Sequence, residues 1–280
     1  MKRTAAALGT KVSITAMHGS RDRAERAVGA AFGALDQVEQ VMSLYRPQSQ
    51  LCRLNRERVL DGPEPGLVAV LRRAQELARR TGGAFDVTVQ PLWEARARGG
   101  TGLPAARASV DWRRLHVSRR RIRLAGDGMA VTLNGIAQGY AADRALAALR
   151  AHGIERGLVD TGELGGMGRP WTVGIQHPRR TDAYIDLARL DGRCMATSGD
   201  YAPASPHIFD PRTGRTPDRF SSVTVVARSG LDADALSTAL FVLDLERGIE
   251  LLASTRGAEA FLVTRDGRTL ATRGFPRASA

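Results

Sequence analysis

The sequence predicts an α+β fold with mixed, mostly antiparallel sheets and packed helices. Helical apolar stripes occupy residues 21–44 and 66–80, whereas short alternating runs typical of strands dominate the second half. Strands and helices are mixed without strict βαβ alternation, which argues against a parallel sheet. A chain of 280 residues can bury a large core. We therefore expect residues 1–280 to form one domain, which could consist of two lobes in contact.

In the first half, residues 9–15 alternate like a half-buried strand, and Ser20 is placed to begin a long helix. Pro47 breaks that helix before a short helical turn, and Thr81 with two glycines ends the second helix. Three further segments are predicted, namely an extended run over 84–93, a mobile glycine-containing loop over 96–106, and a hairpin formed by 122–124 and 129–133.

In the second half, a strand runs into the glycine turn of residues 134–139, which opens a helix that ends at Gly153. A glycine-rich loop with two carboxylates covers residues 160–168. The remaining predicted strands are 154–159, 171–175, 185–190, 222–227, 261–263 and a short terminal one, and the remaining helices begin near Asp232 and Glu246.

Composition excludes several classes of protein. Hydrophobic residues make up 43% and charged residues 25%, and no apolar run approaches the roughly 20 residues of a membrane-spanning helix. The opening apolar run is also too short for a signal peptide, so we expect a cytoplasmic protein as the sequence stands, or a periplasmic one if a leader has been trimmed. Cys52 and Cys194 are far apart and indicate neither a disulfide framework nor a thiolate metal site.

The net charge of +12 is carried almost wholly by arginine. The arginines are scattered, only 5% of residues are aromatic, and no nucleic-acid-binding motif accompanies them. A nucleic-acid binder is therefore the weakest interpretation. Most of the arginines are expected on solvated faces, and a minority could meet an anionic ligand such as a dinucleotide.

Two stretches could carry chemistry. Asp234 and Thr238 are four residues apart, so a helix would present a carboxylate and a hydroxyl on one face, a pair suited to Mg²⁺. Asp232 or Asp234 could instead cap the helix, because aspartate is also favoured at helix N-termini. The strand, glycine turn and helix around Gly135 could place free amides against a phosphate, although a purely structural turn is the more economical interpretation.

Six sequence blocks, in order and in spacing, resemble the ApbE-like FAD:protein FMN transferases. The blocks are Tyr45-Arg-Pro with Arg53-Leu-Asn, Gly83-Ala-Phe-Asp86, Asn134-Gly-Ile-Ala-Gln-Gly-Tyr-Ala-Ala-Asp143, Ala196-Thr-Ser-Gly-Asp200, His207-Ile-Phe-Asp-Pro-Arg-Thr-Gly214 and Asp234-Ala-Leu-Ser-Thr238. The resemblance implies two lobes around a flavin-binding cleft. It also implies magnesium-dependent cleavage of FAD, with FMN attached through a phosphoester to a threonine or serine of an acceptor flavoprotein and AMP released.

The resemblance also implies roles for single residues. The metal contacts fall on Asp234, Thr238 and a backbone carbonyl at about Gly135, and His207 lies beside the phosphate as the catalytic candidate. The cofactor-binding positions are Tyr45, Ala84, Phe85, Asp86, Thr132, Gln138 and His207.

Three positions depart from the usual pattern of these transferases. Thr132 stands where aspartate is frequent, Glu163 follows Gly162 where a Gly-Gly-Asp is common, and Leu8 replaces a methionine.

Other functions remain open from the sequence. The same site with water as acceptor would make an FAD pyrophosphatase that gives FMN and AMP, and a carrier would bind FAD without chemistry. Asp210 could simply begin the turn that ends at Gly214.

Overall fold

The computed structural model describes residues 1–180, 182–201 and 207–278. Its helices are α1 (Arg21–Met42), α2 (Gln50–Glu57), α3 (Pro65–Arg80), α4 (Gln90–Ala97), α5 (Leu103–Ala108), α6 (Ala137–Ala151), α7 (Gly230–Val242) and α8 (Leu245–Ala253). Its strands are β1 (Lys2–Ala7), β2 (Thr10–Met17), β3 (Val59–Asp61), β4 (Leu115–Val117), β5 (Arg121–Leu124), β6 (Arg156–Asp160), β7 (Leu164–Met167), β8 (Trp171–Gln176), β9 (Tyr184–Leu190), β10 (Cys194–Gly199), β11 (Phe220–Ala227), β12 (Glu259–Thr264) and β13 (Thr269–Ala271).

The predicted α+β class is confirmed. The main sheet has eight strands in the order β1-β2-β6-β7-β10-β11-β12-β13, and every neighbouring pair is antiparallel. A three-stranded sheet, β3-β5-β4, and a two-stranded sheet, β8-β9, are also antiparallel. No described helix is long and apolar enough to cross a membrane.

Helix α1 begins as its sequence predicts. The Ser20 hydroxyl accepts a hydrogen bond from the amide of Arg23, which satisfies one of the free donors at the helix start. The apolar stripe of α1, formed by Ala24, Ala27, Val28, Ala31, Leu35, Val38 and Met42, is buried. The stripe packs α1 against α6 and β2, so the long helix covers the β1–β2 end of the main sheet.

Helices α6 and α7 cross at two glycines. A Cβ added to Gly139 would lie 2.0 Å from the Gly230 carbonyl oxygen, and one added to Gly230 would lie 2.3 Å from that of Gly139. Carboxylates then join the helices in both directions. Asp234 of α7 accepts from the Gly139 amide at 2.9 Å, and Asp143 of α6 accepts from Gly230 and Leu231 at 2.7 and 3.0 Å.

Two predicted segments of the first half are wrong, and a third is shorter than expected. Residues 84–93 are not extended, because the chain turns there and enters α4 with Pro91 in its first turn. The expected mobile loop over 96–106 contains the end of α4 and the start of α5, with Gly99, Gly100 and Gly102 at positive φ between them. The glycines therefore serve a tight helix-to-helix connection.

The predicted hairpin of 122–124 with 129–133 is also wrong. Strand β5 pairs with β4 and β3 instead, and residues 129–133 make only a single bridge, Ala130 to Val89. Arg58, at the end of α2, donates to the Gly126 carbonyl and to Asp127. These bonds hold the Gly126–Gly128 turn against the end of α2. A tertiary contact thus replaced the local pairing.

The sequence interpretation assigned no structure to residues 2–7, which form β1. Leu8 and Gly9 connect β1 to β2, and both have positive φ, 54° and 70°. Two such residues give the turn whose twist matches a tight hairpin. Leucine is unusual at positive φ, which explains why sequence patterns did not reveal this turn.

The close approach of α6 and α7 can be tested with Gly139→Ala. The added methyl would overlap the Gly230 carbonyl and the Asp234 side chain, so we expect a loss of about 1–3 kcal/mol in the free energy of unfolding, measured by urea denaturation. Gly29→Ala is the matched control, because Gly29 is an exposed residue of α1 with no atom within 4 Å of an added Cβ. That control should gain roughly 0.5–1 kcal/mol. Equal stability of Gly139→Ala and wild type would refute the tight crossing.

Candidate functional site

One cleft contains every residue that the sequence singled out for chemistry. Its cavity has a volume of about 870 Å³, within the usual range for small-molecule and cofactor sites. Its lining includes Tyr45, Ala84, Phe85, Asp86, Thr132, Gly135, Gln138, His207, Asp234 and Thr238. These residues come from loops and helices up to 193 positions apart in the chain, the separation of Tyr45 and Thr238. The fold therefore assembles them into one site.

The crossing of α6 and α7 forms the oxygen-rich end of the cleft. Asp234 is buried, with 4% of its surface exposed, and Thr238 lies one turn further along α7, where its hydroxyl bonds Ser198 Oγ at 3.1 Å. The backbone of Gly135 lies against Thr238, since an added Cβ would be 2.9 Å from Thr238 Oγ1. The Asp234 carboxylate, the Thr238 hydroxyl and the Gly135 peptide unit therefore all lie at this end of the cleft. Together they are an oxygen set suited to a hard divalent cation.

The alternative that Asp232 or Asp234 caps α7 is wrong. Ser229 caps the helix by accepting from the Asp232 amide, and Asp143 accepts from the two preceding amides, those of Gly230 and Leu231. The Asp232 carboxylate pairs with Arg73 at 2.7 Å. Asp234 is therefore free of its own helix terminus and faces the cleft.

Glu163 is a site residue that sequence reasoning recorded only as a departure from a pattern. Its carboxylate lines the cleft and accepts a hydrogen bond from the Thr197 amide at 3.2 Å. Burial, followed by the nearby charge of Asp234, raises the pKa of Glu163 well above its usual range. Burial also raises the pKa of Asp234 to about 7. A cation between these carboxylates would favour their ionised forms, so the residues fit a divalent metal.

In the described part of the chain, no cluster of the usual metal-ligating side chains lies beside these oxygens. Within the described residues, no group of three or more His, Cys, Asp or Glu side chains is placed to hold a metal ion. Any cation in the cleft would therefore depend on hydroxyl and backbone oxygens beside the carboxylates, and on groups of a bound ligand.

The first turn of α6 holds the glycine-rich loop of residues 160–168 in place. The Gln138 side-chain amide donates to the Thr161 carbonyl at 3.3 Å, and the Thr161 hydroxyl donates to the Gln138 carbonyl at 3.2 Å. Gly162 completes the turn with a φ of 95°. These contacts hold Glu163 in the cleft. The Gly139 amide, one candidate donor for a phosphate, is already bonded to Asp234.

Another part of the cleft lining is more apolar, and its residues differ in how exposed they are. Tyr45 is 75% exposed at the mouth, whereas Ala84 and Phe85 are buried. Thr132 lies in the wall, with its hydroxyl accepting from the Asn134 amide. Asp86 accepts from the Thr88 amide and hydroxyl and from the Trp112 amide at 2.7–3.1 Å. The carboxylate of Asp86 therefore serves the fold, and burial raises its pKa.

His207 lies on the exposed side of the cleft. Partial desolvation there lowers the pKa of the imidazole, and the negative charge of Asp200 opposes this shift. Asp200 is itself buried beside Arg265 at 2.8 Å and Arg179 at 3.6 Å. The lowered pKa keeps His207 neutral at physiological pH, as a proton acceptor requires.

Asp210 has a structural role. Its backbone carbonyl accepts from the Gly214 amide at 2.7 Å, and its carboxylate accepts from the Arg212 amide and guanidinium at 2.8–2.9 Å. These bonds fix the turn that follows His207, as the sequence alternative predicted.

Comparison with known proteins agrees with this geometry. The model of the ApbE family matches residues 8–262. This chain belongs to the ApbE family. It is 31% identical over 266 residues to an FAD:protein FMN transferase of Vibrio cholerae, covering 83% of this chain and 78% of that protein. It is 30% identical over 292 residues to an FAD:protein FMN transferase of Treponema pallidum, covering 89% and 80%.

Solved structures of ApbE proteins have the same fold. The flavin transferase ApbE from Vibrio cholerae superposes with a TM-score of 0.88 at 27% identity, covering 98% of this chain and 97% of that chain. The apo form of Pseudomonas stutzeri flavinyl transferase ApbE gives 0.86 at 30% identity, covering 100% and 97%. The agreement extends over essentially the whole chain.

The buried carboxylates predict a pH-dependent stability in the absence of metal. Asp234 keeps a proton up to a pKa of about 7, whereas its ordinary value is 3.8, so the unfolded chain loses that proton first. The free energy of unfolding should therefore fall as pH rises from about 4 through about 7. Glu163→Gln removes one buried carboxylate and its repulsion, so we expect a smaller fall, measured by urea unfolding in EDTA.

The exposed Glu155 lies outside the cleft, and Glu155→Gln is the control that should behave as wild type. An unchanged fall in Glu163→Gln would show that the two carboxylates do not interact.

Proposed function

We propose that this chain is a magnesium-dependent FAD:protein FMN transferase. FMN would pass from FAD to a threonine or serine hydroxyl of an acceptor flavoprotein, with release of AMP. The observation that carries the proposal is the cleft whose lining joins buried Asp234, half-buried Glu163, Thr238 and the Gly135 backbone with Tyr45 and Phe85. Membership of the ApbE family supports the same activity.

The reaction exchanges the phosphoanhydride bond of FAD for a phosphoester bond to the acceptor. The acceptor oxygen forms a bond to the phosphorus of the FMN half, the bond from that phosphorus to the bridging pyrophosphate oxygen breaks, and AMP leaves. The hydroxyl proton passes to a base. Positioning and stabilisation of charge on the phosphate oxygens are the main demands of such a transfer.

The oxygen-rich end of the cleft meets the demand for charge stabilisation. Asp234, Thr238 and the backbone at Gly135 would hold Mg²⁺, with Glu163 adding a second negative charge nearby. Bound there, Mg²⁺ would neutralise charge that develops on the phosphate oxygens. Asp234 is itself positioned by the Gly139 amide, so the carboxylate does not depend on a flexible rotamer.

The mouth of the cleft suits a planar ring system. Tyr45 is largely exposed, so a ligand could cover its ring without disturbing the core, whereas buried Phe85 shapes the wall from within. Aromatic contacts of this kind contribute about 0.5–1.5 kcal/mol beyond the buried area. Gln138 and Thr132 supply polar groups to the lining of the same cleft. We assign the flavin and its ribityl chain to this part of the site.

The proposal is tested by incubating the chain with FAD, Mg²⁺ and candidate flavoprotein fragments. In-gel flavin fluorescence after denaturation reports covalent transfer, and AMP release reports cleavage. We expect both signals, and we expect EDTA to abolish them until Mg²⁺ is restored. AMP release without covalent flavin would indicate an FAD pyrophosphatase. FAD binding without either signal would indicate a carrier, and would refute the transferase proposal.

His207 is expected to act in the chemical step and not in binding. Its neutral imidazole could accept the proton of the attacking hydroxyl or orient the phosphate. His207→Asn should therefore keep most FAD affinity and the melting temperature while lowering the single-turnover rate by roughly 10²–10⁴-fold. Because the pKa of His207 lies below its ordinary 6.5, the wild-type rate should fall only as pH drops through that lowered value.

The pH dependence provides the internal control. His207→Asn should lose the acidic limb assigned to the imidazole, whereas a variant that merely unfolds would lose FAD affinity together with rate. A folded His207→Asn protein with the wild-type rate would remove the histidine from the mechanism.

A further inference from the structure

A second groove opens beside the cleft, and most of its charged residues are arginines. Its volume is about 650 Å³, and it shares Asp86 and Pro211 with the wall of the cleft. Four arginines line it, namely Arg107, Arg113, Arg114 and Arg212, and we call it the arginine groove. The paired glycines that precede the Ala84–Asp86 wall form part of its floor. The groove and the cleft therefore lie on two sides of the same segment.

The groove keeps an excess of positive charge. Its acidic residues are Asp86 and Asp111. Asp86 is occupied by three hydrogen bonds, and Asp111 accepts from the Arg113 amide and guanidinium. Four arginines against two aspartates leave a formal charge of +2.

Two of the four arginines are uncommitted. Arg212 pairs with Asp210 outside the groove, whereas Arg107 and Arg114 form no ion pair within the described residues. Both are exposed, and Arg114 donates only to the Ala125 carbonyl, at 3.1 Å. Their guanidinium groups are therefore available to carboxylates of a partner.

Trp112 adds a polar donor to the groove. Its indole nitrogen is shielded from solvent and has no hydrogen-bond partner within the described residues. Arg113 stacks over the same ring, with its guanidinium carbon 4.7 Å from the ring centroid. Buried donors are usually satisfied, so Trp112 is an unusual feature of the groove lining.

One loop connects the groove to the reaction centre. The turn from His207 to Gly214 supplies His207 to the cleft and Pro211 and Arg212 to the groove. The bonds of Asp210 within that turn fix the separation between its two ends. The same turn therefore borders both the groove and the cleft.

We propose that the arginine groove docks an acidic segment of the acceptor protein, so that the target hydroxyl enters the cleft beside His207. This inference rests on the proposed transferase function and adds to it the chemistry of the partner. A protein acceptor needs a surface outside the flavin cleft, because the cleft itself must hold the dinucleotide. The arginine groove adjoins that cleft and carries uncommitted positive charge.

The test compares three double variants with wild type. Arg107→Glu with Arg114→Glu reverses the free charge of the groove, and Arg107→Lys with Arg114→Lys retains it. Arg256→Glu with Arg273→Glu makes the same change in net charge at exposed positions that line neither the cleft nor the groove. The acceptor is a flavoprotein fragment that wild type flavinylates, and the readouts are its KM, its dissociation constant with the target hydroxyl removed, and FAD affinity.

We expect the groove reversal to raise the acceptor KM and dissociation constant roughly tenfold and to weaken their salt dependence. FAD affinity should stay unchanged. The lysine variant should remain within about threefold of wild type, and the distant reversal should change neither constant appreciably.

Unchanged acceptor binding in the groove reversal would overturn the proposal, as would an equal loss in the distant reversal. A single-stranded oligonucleotide that binds wild type through these arginines, while the acceptor does not, would also overturn it. Failure of the transferase proposal is separately visible, because wild type would then flavinylate no fragment while the variants still bound FAD.

Discussion

The crossing of α6 and α7 is the contact on which the whole site depends. Only hydrogen atoms fit between the helices at Gly139 and Gly230, and each helix sends a carboxylate to amides of the other, Asp234 to α6 and Asp143 to α7. The positive ends of helices favour such anions. The same crossing places Thr238 against Gly135. The crossing that packs the two helices together therefore also brings the oxygen atoms of the site together.

The crossing also has an energetic cost that function explains. Asp234 is almost fully buried and Glu163 lies nearby, so without a cation each disfavours ionisation of the other. A protein selected only for stability would place neutral groups there. Buried carboxylates with strongly perturbed pKa values are typical of functional sites. Here they are held in position by backbone donors, the Gly139 and Thr197 amides, which leaves little reorganisation for ligand binding.

Much of the fold could be predicted from local pattern, and several of the errors share one cause. The long helix after Ser20 follows from its cap and its apolar periodicity, whereas the helix that carries Asp234 follows from periodicity alone. Strand β10, between β7 and β11, carries the small and polar residues 196–199, which lack a strand pattern of their own. Similarly, β5 pairs with β3 and β4 because Arg58 holds the following turn elsewhere. In these two cases, a partner distant in sequence outweighed the local signal.

The sequence by itself determined the fold class, through periodicity, and the family resemblance, through motif spacing; that resemblance in turn implied residues that the cleft brings together. Only the tertiary structure decided how each residue is used. It joined Asp86 to Thr88 and Trp112, made Ser229 and not Asp234 the cap of α7, and brought Glu163 beside Asp234. A carboxylate looks the same in a sequence whether it caps, pairs or faces a cleft. Its role is set by neighbours that folding brings from distant positions.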